Sequence, residues 1–112
     1  MTVTALCLIE SKDAANVITT QYTASINSVR TIIDKFTSTN YTAGAQTLTV
    51  YIVPFGGSAT NSNMIKIKTL AAGESYLWPE VVGHILNPGD FIATNASALT
   101  SINIRSSGRE NT

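Results

Sequence analysis

Ser75, His84 and Asp90 are the residue types of an acyl-transfer triad, in which an imidazole takes the serine proton and a carboxylate orients the imidazole. Their context argues against that chemistry, because no Gly-x-Ser-x-Gly elbow surrounds Ser75. Glu74 and Glu80 offer a second chemistry, the paired carboxylates of a glycosidase. Each flanks a turn former, Gly73 or Pro79, where a carboxylate more often caps backbone N–H groups. Cys7 is the one cysteine and His84 the one histidine, too few for a disulfide within the chain or for a common zinc site. Cys7 lies between Leu6 and Leu8, which predicts a buried structural thiol. His84 sits between Val81-Val82-Gly83 and Ile85-Leu86, which predicts a packed or hydrogen-bonded imidazole. Gly56-Gly57-Ser58 lacks the lysine of a phosphate-binding loop. The residues therefore predict a protein that is not an enzyme, with no catalytic, cofactor-binding or metal-binding set.

Composition narrows the partners. Charged residues are 12% of the 112-residue chain, against roughly a quarter in ordinary soluble domains. The 16 Thr, 11 Ser and 9 Asn take their place on the surface, and Thr suits the solvent side of a pleated sheet. A surface so poor in charge also suits contact with copies of itself or with a partner. Net charge is zero, so no electrostatic footprint for nucleic acid is present. Lys66 and Lys68 alternate with Ile65 and Ile67, which predicts two lysines on the solvent side of an edge strand. The first ten residues lack the basic start and long apolar run of a secretion signal, and no stretch matches a membrane span. The chain is expected to be made and folded in a cytoplasm, with no membrane partner. In that setting the sequons at Asn40 and Asn95 are accidents of composition.

The elements that would position these residues read as strands. Gly73 and the run Pro88-Gly89-Asp90 mark two corners, since glycine tolerates tight turns, proline presets φ and Asp bonds local backbone. Strands are predicted over 2–9, 17–23, 46–53, 64–70, 75–78 and 91–96, with a last one that includes Ile102 and Ile104. Residues 10–13 read as a loop, and 79–86 as a turn or a single helical turn. Between residues 29 and 39 two patterns compete. Val29, Ile32, Ile33 and Phe36 form a helical stripe, but the density of β-branched residues favours a long strand. Residues 55–63 read as a flexible exposed loop carrying Phe55. The whole is an all-β chain: a single antiparallel β-sandwich domain over 1–112 with about eight strands, jelly-roll or immunoglobulin-like.

The segments Ile33-Asp34-Lys35-Phe36-Thr37-Ser38-Thr39-Asn40, Thr49-Val50-Tyr51-Ile52-Val53-Pro54-Phe55-Gly56-Gly57, Leu70-Ala71-Ala72-Gly73-Glu74, Val82-Gly83-His84-Ile85-Leu86, Pro88-Gly89-Asp90-Phe91-Ile92 and Ser107-Gly108-Arg109-Glu110 together resemble small virion proteins of tailed phages and prophages. Among these the chain is most similar to the capsid decoration, or cement, proteins of short-tailed phages. The resemblance covers most of the chain from Ile33 onward and rests on fold elements rather than on an active site.

What the resemblance implies is a structural virion protein on the capsid exterior, made in the bacterial host. It would bind the phage major capsid protein, pair with copies of itself as a dimer or trimer, and bridge coat subunits. Contact residues expected on that reading are Phe55, Gly56 and Gly57 in the loop, Tyr76 and Trp78, and Arg105 and Arg109 for carboxylates on the coat. Trp78 is equally a candidate core anchor. The alternatives are a neck or tail component, or a carbohydrate-binding sandwich in which Tyr41, Tyr51, Tyr76 or Trp78 stacks on sugar.

Overall fold

Alternating apolar and polar residues build nine strands in the computed structural model, which describes residues 2–112. These are β1 (Val3–Asp13), β2 (Thr19–Thr23), β3 (Arg30–Asn40), β4 (Gln46–Val53), β5 (Met64–Leu70), β6 (Ser75–Tyr76), β7 (Ile85–Leu86), β8 (Phe91–Ala96) and β9 (Ile102–Asn111), with one 3-10 turn at Asn61–Asn63. One sheet has the order β1-β9-β3-β6, with β7 also on β3, and the other the order β2-β8-β4-β5. All pairs are antiparallel. The pairs β4·β5, β3·β6/β7, β2·β8 and β1·β9 are the rungs of one long hairpin. That hairpin rolls up so that successive rungs fall on alternate sheets, closed by β3·β9 and β4·β8. This is the jelly-roll arrangement, and it decides between the two sandwich topologies.

β3 is a strand rather than a helix, and its apparent helical stripe has a local cause. Asp34 is an extra residue in the register, between Ile33 opposite Gly108 and Lys35 opposite Ser107. The bulge shifts the alternation by one, so Thr31 and Ile33 point inward before it and Phe36, Ser38 and Asn40 point inward after it. Two buried residues three apart imitate a helix. Between the sheets lie Ile33, Phe36, Leu48, Val50, Leu70, Trp78, Ile92, Ile102 and Ile104, all fully buried. A second, smaller cluster forms on the outer face of the other sheet, where Ala59 and Met64 pack against Tyr51, Val53 and Ala93. The loop after β4 is thus partly folded down onto the sheet, which leaves less of it free than its composition predicts.

Several boundaries differ from the sequence reading. β1 runs through residues 10–13, because two register shifts let it rejoin β9 at Lys12 and Asp13. β2 begins at Thr19, leaving Val17 and Ile18 exposed. The segment 79–86 is turned but not helical, and its last two residues form β7 on β3. β9 continues to Asn111, with Ser106 and Gly108 as small inward residues. Lys66 and Lys68 pair with Val50 and Leu48, so they lie on the inner face of the edge strand rather than the solvent face. They emerge at the seam between sheets, where Lys66 meets Glu80 at 3.8 Å and Lys68 lies 5.0 Å from the Tyr76 ring centroid.

Candidate interaction surfaces

Every sheet edge is blunted. β1 carries two register shifts and β2 one, β6 and β7 are two residues each, and β5 turns its lysines inward. The edges are thus poor templates for strand addition, which leaves the ends and outer faces of the sandwich as the candidate surfaces.

One end gathers the β2–β3, β4–β5 and β7–β8 connections. The Asp90 carboxylate organises it, accepting from the Phe55 N–H on one oxygen and from the Asn87 N–H on the other, each at 3.0 Å. Ala24 adds a pair of backbone hydrogen bonds, to Asp90 O and from Gly89 N. Gly89 has a φ of +87°, and a Cβ there would lie 2.5 Å from Phe55 Cδ1, so only glycine lets the ring lie over the turn. Phe55 is fixed on one side and still 70% exposed. Gly57 N–H closes a turn onto Pro54 O at 2.9 Å, with Gly56 in a positive-φ conformation between. Val3, Ile26 and Val29, each at least half exposed, belong to the same end by topology.

The outer face of the β1-β9-β3-β6 sheet is the second surface. Arg109 holds Asp34 through three hydrogen bonds of 2.9–3.2 Å, and the carboxylate raises the guanidinium pKa further. The β3 bulge that disturbs the alternation is the residue that supplies this carboxylate. Two residues earlier on the same face, Ser107 stands between Cys7 of β1 and Lys35 of β3, and Arg105 stands opposite Thr37. Cys7, Lys35, Thr37, Arg105, Ser106 and Ser107 line an open groove of about 410 Å³.

The residues expected to form one contact surface are thus dispersed. Phe55, Gly56 and Gly57 share the organised end. Arg105 and Arg109 share the sheet face. Tyr76 lies in the seam, half-buried, its hydroxyl shared between the two Glu80 oxygens at 2.9 and 2.8 Å. Trp78 is fully buried and belongs to the core, so it is corrected from contact residue to core anchor. The sugar-stacking set is also reduced, since Tyr51 is buried and only Tyr41 of the four aromatics is half exposed. Partial burial pushes the Tyr41 hydroxyl pKa up, as does the neighbouring Asp13 carboxylate.

The chemistry-bearing residues do not converge. Ser75 bonds Thr39 through its hydroxyl, whereas His84 O accepts from Ile33 N–H, six residues or ~20 Å away along β3. Asp90 is committed at the far end. His84 is exposed, contrary to the packed imidazole expected, because its turn projects from the sheet and only its backbone bonds to β3. Cys7 is exposed as well, since it falls on the outward phase of β1 while Leu8 and Ile9 go inward at the register shift. Glu74 caps the Ala71 N–H as expected. Asn40 is fully buried and bonds Leu70, Ala71 and Gly44 carbonyls, which fits its sequon being incidental. Among the described residues no cluster of metal-ligating side chains occurs and no helix is long and apolar enough to cross a membrane. Sequence reasoning missed Lys35, Ser107, Val3, Ile26 and Val29. Strand phase was the available signal for Lys35 and Ser107, but the bulge at Asp34 hides it for Lys35, and in β9 the inward residues beside Ser107 are the small Ser106 and Gly108, which do not read as core.

No protein-family model matches the chain, and no curated protein matches it. Among solved structures it is similar to one described as Bacillus endospore appendages forming disulfide-linked pili, with 13% identity over 99% of this chain and 87% of that one, TM-score 0.54. It is also similar at 13% identity to infectious bursal disease virus chains, of the Gt strain (TM-score 0.45) and of the VP2 subviral particle (TM-score 0.40). The chain covers 32% of each of these viral chains. At such identity the appendage likeness shows a shared fold.

Proposed function

We propose that this protein is a structural subunit that docks on the exterior of an assembled phage capsid and stabilises it by bridging coat subunits. The observation that carries the reading is the organised end, where Phe55 is pinned by Asp90 and Gly89 yet 70% exposed. An aromatic ring held in place at a turn loses little freedom on burial in a partner, which is what a contact anchor needs. The blunted edges disfavour strand addition and the sandwich is elongated, 46 × 26 × 20 Å, so end-on or face-on docking fits it. A subunit that binds only the assembled shell stabilises that shell by mass action, and repetition over a symmetric lattice multiplies weak contacts.

The shared fold with a pilus structure supports a structural role more generally. A disulfide-linked polymer is the less favoured version here. A continuous disulfide-linked chain needs two thiols per subunit, one for each neighbour, and these residues contain only Cys7, which suffices for a pair.

The test is rebinding to capsids purified without the protein. Wild-type protein should bind the exterior and raise the temperature at which capsids break. Phe55→Ala should retain its own melting temperature and bind at least tenfold more weakly. The proposal fails if wild-type protein neither binds nor protects capsids, or if Phe55→Ala binds as well as wild type.

A further inference from the structure

The groove on the β1-β9-β3-β6 face contains two cations with no carboxylate. Lys35 and Arg105 both line it, and among the described residues the ion pairs are Lys66–Glu80 and Arg109–Asp34 alone. Hydroxyls of Thr37 and Ser107 line the same space. Its shape comes from β1, where the register passes from Ile9 opposite Ser106 to Lys12 opposite Ile104. Arg105, between those two rungs, has no partner on β1. Glu10, in the stretch without register, is not among the lining residues and makes no ion pair with Arg105.

The same face already holds a worked example of what such a cation takes. Four residues on along β9, Arg109 grips the Asp34 carboxylate through both Nε and Nη2. The acid is available there only because the β3 bulge supplies it. At Arg105 the sheet is regular across Thr37 and offers no acid.

We infer that this groove receives the carboxylate of an acidic side chain from a protein partner, with Arg105 as the bidentate donor and Lys35 as the second charge. A volume of about 410 Å³ accommodates one acidic side chain with part of its backbone. Thr37 and Ser107 hydroxyls complete the donor set. Two cations on a chain of zero net charge are too few for a phosphate backbone, whose affinity grows with each neutralised charge. The inference deepens the docking proposal and rests on it for the partner, but the groove can be tested without any capsid.

Cys7 sits in the groove wall as a native reporter. Its reaction rate is measured with an anionic disulfide, 5,5′-dithiobis(2-nitrobenzoate), and with neutral 4,4′-dithiodipyridine at the same pH, so that the thiolate fraction cancels in the ratio. The anionic-to-neutral ratio should fall about tenfold in Lys35→Gln/Arg105→Gln and with rising salt. It should hold in Arg30→Gln, which removes one positive charge on the same face about four residues, ~13 Å, from Lys35. A short glutamate peptide, acetyl-Gly-Glu-Gly-Glu-Gly-amide, should protect Cys7, and its glutamine counterpart should not. An unchanged ratio in the double variant overturns the inference. Equal protection by the glutamine peptide also overturns it, as does equal protection by inorganic phosphate, which would identify a free-anion site. If these tests fail while Phe55→Ala still loses capsid binding, the docking proposal stands and only the groove assignment falls.

Discussion

The indole N–H of Trp78 donates to Ser38 Oγ at 2.7 Å inside the core. The bond joins the turn after β6 to the C-terminal part of β3, and it satisfies the one polar side-chain atom of the largest buried side chain. Phe36 and Tyr76 meet the same indole edge-on, with centroids at 5.9 and 5.3 Å. Trp78 also holds a φ of +50°, a conformation that a bulky residue adopts only when its surroundings impose it.

Ser38→Ala should therefore cost about 1–3 kcal/mol, the penalty of a buried donor left without a partner. Trp78→Phe should cost a similar amount or more, through lost volume and an orphaned Ser38 hydroxyl. The double variant should cost less than the sum of the two, because the second change removes a group already unpaired. Urea unfolding followed by circular dichroism measures all three. Strict additivity would mean that the hydrogen bond carries no energy.

These residues also show how far the sequence could be read. The strand-rich pattern, the two glycine corners and the Glu74 cap were legible because each is encoded within a few residues. The phase of β3 was not, because the bulge is set by β9 across the sheet, and with it went the location of Lys35 and the pairing of Asp34 with Arg109. Cys7 and the two lysines of β5 were misplaced for another reason: Cys7 has the phase opposite to Leu6 and Leu8, and Lys66 and Lys68 share the inward phase of Leu70 while Ile67 is exposed, so apolar neighbours in sequence did not mark the buried face. Burial of Trp78 against exposure of Leu77 beside it depends on a long-range bond to Ser38, which no local pattern announces.

Gly108 and Gly44 give an internal comparison. A Cβ at Gly108 would collide with the Ile32 carbonyl oxygen, a backbone atom fixed by the β3·β9 pairing. Gly108→Ala should cost about 3 kcal/mol or more, or prevent folding. Nothing lies within 4 Å of the corresponding position at Gly44, so Gly44→Ala should stay within about 0.5 kcal/mol of wild type. Melting temperatures of the two variants check this, and equal melting temperatures would contradict it.

His84→Gln and Cys7→Ser should each leave the melting temperature nearly unchanged, because both side chains are exposed. Cys7 should react with one equivalent of a thiol reagent in the native protein, without denaturant. A thiol that reacts only after unfolding would place Cys7 in the interior.

Glu80 gives the chain a predicted acid sensitivity. Burial pushes its carboxyl pKa up, but the Tyr76 hydroxyl, a backbone N–H and Lys66 together outweigh this and hold it below the ordinary 4.5. A carboxyl whose pKa is depressed by folding contributes stability above its unfolded pKa, and that contribution is lost as pH falls through the folded value. Wild type should therefore be more stable than Glu80→Gln at pH 7, and the difference should shrink steadily below about pH 4.5. Tyr76→Phe removes a major donor to the carboxylate, so it should flatten the same part of the profile. Tyr76 itself has a raised pKa, its hydrogen bond to Glu80 being the first cause, so stability held by its protonated form is lost only as pH rises past the ordinary value of 10.0. Denaturant midpoints from pH 3 to 8 distinguish the cases. A wild-type advantage over Glu80→Gln that is the same at pH 3 and pH 7 would show that the seam between β5 and β6 gains nothing from the charge.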